Sequence, residues 1–341
     1  MTGLADSAVD PTTLEVTGLH RLMTGYLSSS ALFSAVELEL FDALSGRDAT
    51  AEEVGAEVGI AERPARVLLL ALEGEGLVRR TGDRYANSPV ADTFLVSTHP
   101  RYLGALAGQQ ARHLNKIGQL TQALRDDRPV NAGGSYTGEF HPDSASWARR
   151  WAEVMRASSQ LMADDLASVA PLSSRRHLVD LGCASGSYAM AFAAANPQLT
   201  VTAVEQPAIA AVTTEFLAEA GMGQRVTVHP GNIFEDTFPD CDVALLSHVI
   251  QGFGRTRARQ LLEHVYSWLP GGGELLIHSH LPEQAEASFP YQFGLILLVN
   301  NTQGGEAHTE RLTTQWLQEI GFRDIGVSRV SPISALVRAA K

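Results

Sequence analysis

Cysteine is scarce in this chain. Among 341 residues there are two, Cys183 and Cys241, too few for a disulfide framework and without the spacing of metal ligands. No His, Asp and Glu cluster has ligand spacing either, so no metal is expected, and the expected compartment is the reducing cytoplasm. Long apolar runs are also missing: stretches such as Leu295–Val299 fall far short of the roughly 20 residues that span a bilayer, and the start shows no signal-peptide pattern. Positive charge is in deficit. Lys and Arg total 26 against 38 Asp and Glu, a formal net charge of −12, which argues against nucleic acid or an anionic membrane as a partner.

What remains is an ordinary globular composition, 45% hydrophobic and 19% charged, long enough for two domains and a full core. The chain is organised around HLVDLGCASGSYAMAFA, His177 to Ala193. An apolar run through Leu178, Val179 and Leu181 breaks at Gly182, turns through Cys183, Ala184, Ser185 and Gly186, and resumes as an Ala-rich helix. That is a buried strand, a tight loop and a helix start. Small residues let the backbone approach a ligand closely, and helix-start amides receive an electronegative group. The next apolar run, TVTAVEQP (Thr200–Pro207), ends in Glu205, nineteen residues beyond Gly186. An acid at the end of a second strand accepts hydrogen bonds from ribose hydroxyls in doubly wound sheets, so two consecutive elements point at one nucleoside.

Further strands are expected near 226–230, 242–247 and 274–280, with helices between them and two closing strands in the tail. That alternation signals an α/β fold with a doubly wound, mostly parallel sheet. Ahead of it, helical spacing over Leu14 to Leu44, short helices near 50–58 and 61–73, and a hairpin tipped by Thr81, Gly82 and Asp83 compose a winged helix. Such a module suggests DNA binding, but residues 1–100 hold seven Arg and no Lys against fifteen Asp and Glu, the inverse of a DNA-binding balance. A continuous helix is expected over Ser144–Ala170, with Trp151, Met155 and Ser159 on one face.

Taken together, DLGCASG, VEQP, GNIFE (Gly231–Glu235), LLSHVIQGF (Leu245–Phe253) and GGEAHT (Gly304–Thr309) resemble S-adenosylmethionine-dependent small-molecule O-methyltransferases, of the kind that methylate phenols, hydroxyindoles and aromatic polyketides. The resemblance covers nearly the whole chain. It implies a Rossmann-like methyltransferase domain over 171–341, a winged-helix dimerisation domain over 1–100 that forms a homodimer, and linking and acceptor-site helices over 101–170. It further implies that Gly182, Ala184, Gly186, Glu205, Gln206, Asn232, Ile233 and Ser247 surround S-adenosyl-L-methionine. Trp151, Met155, Ser159, Phe253, Phe293, Leu297 and Asn301 would line a flat, largely apolar acceptor site for an aromatic or polyketide-like metabolite of secondary, antibiotic-type metabolism.

The chain departs from the family at the chemistry. Many members carry a His after the fourth strand that deprotonates the acceptor; the ungapped match here is Gln251, a neutral amide that cannot act as a base. The acid that usually orients that His is matched by Ala307, with Glu306 one residue away. Three readings stay open: methyl transfer by proximity alone; a substitute group such as His248, His308 or Glu306; or a cofactor-binding member that performs decarboxylation, hydroxylation or rearrangement instead. Gln251 and His248 are therefore the catalytic candidates.

Overall fold

The computed structural model describes residues 16–130, 145–160, 162–284, 288–300 and 304–341. Contacts divide the chain into two units, residues 1–112 and 113–341.

The first unit holds α1 (Val16–Glu37), α2 (Leu40–Ala43), β1 (Ala49–Thr50), α3 (Ala51–Val58), α4 (Glu62–Gly74), β2 (Val78–Thr81), β3 (Arg84–Asn87) and α5 (Pro89–Phe94). Helix α3 starts where Thr50 accepts from the Glu53 amide while the Glu53 carboxylate accepts from the Thr50 amide, a reciprocal cap that satisfies two otherwise orphaned donors. The three strands pair antiparallel in the order β1-β3-β2, completing the winged helix expected from sequence. The apolar run of α4 is divided: Leu69 and Leu72 are buried, while Val67 and Leu70 face outward. Helix α1 likewise exposes Leu22, Met23, Tyr26 and Leu27. Exposed apolar side chains gathered in this way mark a contact face.

Helix α6 (Gly104–Ile117) spans the division, and α7 (Leu120–Asp126) follows. Helix α8 (Ala145–Ser159) and α9 (Ala163–Val169) then occupy the stretch read as one helix. The break follows Ser159, whose hydroxyl donates to the Met155 carbonyl at 2.6 Å; such back-bonding competes with the helix ladder.

The second unit's sheet uses β4 (His177–Leu181), β5 (Thr200–Glu205), β6 (Val226–Pro230), β7 (Val243–Ser247), β8 (Glu274–Ser279), β9 (Arg323–Ser331) and β10 (Ser334–Ala340). Their order is β6-β5-β4-β7-β8-β10-β9, with β10 antiparallel to both neighbours. Helices α10 (Ser187–Ala195), α11 (Pro207–Glu219), α12 (Arg255–Trp268), α13 (Phe289–Asn300) and α14 (Glu310–Ile320) complete the fold. Val179 and Leu181 enter one apolar cluster and Leu178 the other, so the central strands are covered on both faces. That is why they read as continuous apolar runs rather than as an alternation. The chain winds from β4 outward through β5 and β6, then crosses to β7 and β8. The carboxyl ends beside β4 thus form the switch point at which doubly wound sheets bind ligands.

Candidate functional site

The loop after β4 is held in a shape that ordinary residues resist. Gly182, Ala184 and Gly186 all have positive φ, at 76°, 47° and 75°, and left-handed backbone costs a non-glycine residue roughly 1–2 kcal/mol. Two amides of the loop, those of Gly182 and Cys183, donate to the Val204 carbonyl at 2.9 and 3.1 Å. The Ala184 carbonyl accepts from the Thr213 hydroxyl of α11. A Cβ on Gly182 would lie 2.9 Å from Cγ2 of Val249.

Glu205 closes the loop from β5. Its carboxylate accepts from the Ala184 amide at 2.9 Å and from the Gln206 amide at 2.7 Å. One lone pair per oxygen remains for a hydroxyl. Burial raises its pKa, and these two amides oppose the rise. Asp180, on β4 beneath the loop, is pushed up to about 7 from 3.8, first by burial and then by the charge of Glu205. Its Oδ2 is buried without a hydrogen-bond partner. Two buried carboxyls sit together with no ion pair to either among the described residues. They suit a ligand that carries both hydroxyls and positive charge.

The loop also meets α8. Ser159 approaches Ser185 at 3.5 Å and Ser185 bonds Ser187 at 2.9 Å. On the same helix Trp151 stacks on Trp147, with centroids 5.9 Å apart and planes 6° from parallel, and both pack against Ile209, Val212 and Phe216 of α11. Met155 is half-buried. After β6, Asn232 is exposed, and its side-chain oxygen accepts from the Phe234 amide at 3.0 Å; Ile233 packs on the core.

The carboxyl ends of β7 and β8 carry a polar cluster. Gln251, on a 3₁₀ turn over Ile250–Gly252, is buried. Its oxygen accepts from Ser279 at 2.6 Å, and its nitrogen lies 3.3 Å from Nδ1 of His248. Ser247 lies 2.9 Å from Nδ1 of His278. His248 packs against the rings of His278 and His280 at centroid distances of 4.5 and 4.4 Å, and Tyr188 packs against His278 at 5.5 Å. The substitutes considered for the missing base are otherwise engaged. His308 donates from Nε2 to the carbonyls of Ile250 and Phe253 at 3.1 and 3.0 Å, clamping the turn, and Glu306 pairs with Arg255 in two bonds of 2.9 and 3.1 Å.

Phe253 meets Phe234 edge to face. Phe293 packs beside His280 and Phe289, whereas Leu297 on the same helix is fully enclosed. Asn301 lies outside the described residues. Sequence reading missed Asp180, Tyr188, His278 and His280. Asp180 reads as part of a core strand, and the available signal was the pair of ionisable residues in LLIHSHLP, spaced two apart at the end of an otherwise apolar run.

The fold and the carboxyl-lined loop define a nucleotide-type cofactor site in a doubly wound sheet. Human N-acetylserotonin methyltransferase, solved with S-adenosylmethionine, shares the fold with a TM-score of 0.85 at 20% identity, covering 100% of this chain and 99% of that one. Residues 118–323 match the O-methyltransferase domain model and residues 20–97 the O-methyltransferase dimerisation domain; the chain belongs to this family of S-adenosylmethionine-dependent methyltransferases. It is 34% identical over 271 residues to the N,N-dimethyltransferase OxyT of Streptomyces rimosus, covering 78% of this chain and 79% of that protein. It is 30% identical over 317 residues to the tetracenomycin polyketide synthesis 8-O-methyl transferase TcmO of Streptomyces glaucescens, covering 91% and 92%.

Two predictions follow from the loop. Gly182→Ala adds left-handed strain and a contact with Val249, and should destabilise the fold by about 2 kcal/mol in urea unfolding; Val249→Ala should restore part of the loss. For Asp180, the folded state keeps a proton between pH 3.8 and about 7 that the unfolded chain has released, so its contribution to stability falls as pH rises through that window. Asp180→Asn should remove this slope, so that the variant gains on the wild type in urea unfolding between about pH 4 and about pH 7.

Proposed function

We propose that this chain transfers a methyl group from S-adenosylmethionine to the hydroxyl of a small aromatic or polyketide-like metabolite, as a step in secondary metabolism in the cytoplasm. The observation that carries the reading is the pair of buried carboxyls, Asp180 and Glu205, with no ion pair to either among the described residues, at a loop of small residues beside strand ends that carry aromatic rings. When bound, S-adenosylmethionine supplies an electrophilic methyl on a sulfonium. Gly182, Ala184 and Gly186 give its adenosyl portion backbone to lie against, Glu205 accepts from its ribose hydroxyls, and Asp180 offsets its positive charge. Gln206, Asn232, Ile233 and Ser247 complete the surround.

On the acceptor side Met155, Phe253 and Phe293 present the apolar surface that orients a flat ring, while Gln251, held by Ser279 and His248, braces the turn beside them. Trp151 and Leu297 support these segments from the α11 side and the helix interior, and Ser159 ties α8 to the loop. Holding the acceptor oxygen about 3 Å from the methyl carbon supplies a large part of the acceleration. Gln251 lends no proton chemistry. Polyketide-type acceptors are supported by the likeness to TcmO. The likeness to an N,N-dimethyltransferase makes aromatic amines the informative control.

The apolar faces of α1 and α4 are read as the seam of a homodimer, supported by the match to the dimerisation domain.

Incubation with labelled S-adenosylmethionine and a panel of naphthols, aromatic amines and carboxylates should yield S-adenosylhomocysteine with the hydroxyl acceptors. Conversion of an acceptor without that product would overturn the reading. Glu205→Ala should weaken S-adenosylmethionine binding roughly 10- to 100-fold in calorimetry, the loss of hydrogen bonds to a charged group. Light scattering should show the wild type at twice the chain mass, and Leu22→Glu with Met23→Glu should return it to the chain mass at roughly micromolar concentration.

A further inference from the structure

We propose that His280 takes the proton from the acceptor hydroxyl, the role that Gln251 cannot fill. The inference rests on the reading of the acceptor as an aromatic hydroxyl.

Three imidazoles meet where β7 and β8 end, and their partners assign the lone pairs. Nδ1 of His280 lies 2.7 Å from the Ile333 carbonyl in the turn between β9 and β10. A carbonyl has no proton to give, so Nδ1 carries the hydrogen, and the lone pair of the neutral ring is on Nε2. This bond fixes tautomer and ring orientation, as a second group does for a histidine base elsewhere. The other two rings are less fit. His248 has its Nδ1 against the Gln251 amide and His278 has its Nδ1 against Ser247, and the Nε2 atoms of both are sealed and unpartnered. No hydrogen bond from a described residue reaches the Nε2 of His280, and the residue is 7% exposed.

The ring touches both segments read as lining the acceptor. It packs against His248, which is hydrogen-bonded to Gln251, and against Phe289 and Phe293 of α13, with centroids 5.2 and 4.8 Å away. An aromatic acceptor resting on these segments would place its hydroxyl within reach of this ring.

Burial keeps His280 neutral, and the Ile333 carbonyl stabilises its protonated ring. Among the described residues, the titratable groups facing it are His248, from the turn after β7, and His278, on its own strand, with Tyr188 of α10 behind them; α13 presents the rings of Phe289 and Phe293, and the β9–β10 turn presents the Ile333 carbonyl. Burial lowers the His280 pKa from 6.5 while the Ile333 bond opposes the fall. His278 is driven down to about 3 and His248 well below its ordinary value, in both cases by burial first and then by charge on His280. Of the three rings, His280 is the one whose hydrogen bond to a backbone carbonyl stabilises the charged form, so the geometry favours it as the proton's resting place.

The step balances. The acceptor O–H bond breaks and its proton forms an N–H bond at Nε2, while the O–C bond forms as the C–S bond breaks and sulfur keeps the electron pair. The products are a methyl ether, a neutral thioether and an imidazolium, which returns its proton to water.

His280→Asn is the test, because the Asn amide can keep the donor toward Ile333 while Nε2 is deleted. With a naphthol that the wild type methylates, kcat should fall roughly 10²- to 10⁴-fold, with S-adenosylmethionine affinity unchanged. The acid limb of kcat/KM against pH, below the ordinary imidazole range in the wild type, should vanish. The loss should shrink for a nitronaphthol already ionised at the assay pH, a rescue that a purely structural role would not give. Wild-type rate with the limb retained, an equal loss for the ionised acceptor, or a limb that disappears in His248→Asn but persists in His280→Asn would each overturn the proposal. Should the variant not fold, 15N-histidine resonances of the wild type decide: His280 must be the first of the three to protonate, with its Nδ1 proton retained throughout, and any other order overturns it. Release of no S-adenosylhomocysteine from any naphthol by the wild type would instead be a failure of the hydroxyl-acceptor reading itself.

Discussion

The Glu205 carboxylate holds the site together. It sits at the end of β5 and accepts from one amide in the loop after β4 and from another in its own helix start, so the spacing of two neighbouring strands becomes the shape of the loop. Each hydrogen bond to a charged group contributes roughly 1.5–3 kcal/mol, while removing a carboxylate from water costs several. The upward shift in the Glu205 pKa shows that desolvation wins. Asp180 adds a second buried acid and is raised further by the first. The two buried carboxyls thus carry an electrostatic imbalance that no described side chain relieves. A cationic ligand with a vicinal diol relieves it from both directions, and the donor used by this family is such a molecule. Ligand binding and fold stability are therefore linked through the same two carboxyls.

The order of the sheet carries the second half of the argument. Because β7 lies next to β4 and β8 next to β7, the turn holding Gln251 and the end of the strand holding His278 and His280 lie in order beside the cofactor loop. On the proposed reading, donor and acceptor chemistry occupy consecutive strand ends of one sheet. Such precision is easier to hold on strand ends than on long loops, since each end is fixed by ladder bonds to its neighbours.

What could be read from sequence follows from where each signal is stored. The strands were legible because two-sided burial writes itself as local apolar runs, and the loop because three residues of small size or left-handed tolerance fall within five positions. Glu205 was legible from its distance along the chain. The interruption between α8 and α9 was not, since helical periodicity continues across Ser159. Asp180 passed as one residue in a strand; its isolation from any cation is visible only when the neighbours are assembled. His280 depends on Ile333, 53 residues later, and on Phe289 and Phe293 of a separate helix, so no local pattern encodes its tautomer. Gln251 carried meaning only through the family resemblance, which located a missing group without indicating another.

The amide at position 251 also fits its surroundings in a way that an imidazole would not. It accepts from Ser279 with its oxygen and faces Nδ1 of His248 with its nitrogen, satisfying two buried polar neighbours with no titratable proton of its own. An imidazole there would be a fourth ring in contact with His248, and each protonated ring lowers the proton affinity of the rest. A proton arriving in such a group would be shared among several sites and bound weakly at all of them. With a neutral amide at 251 no fourth imidazole competes for the proton, which the Ile333 carbonyl stabilises on His280. On this reading the replacement of the family's usual histidine does not remove proton transfer from the site; it moves the acceptor from the turn after β7 to the end of β8.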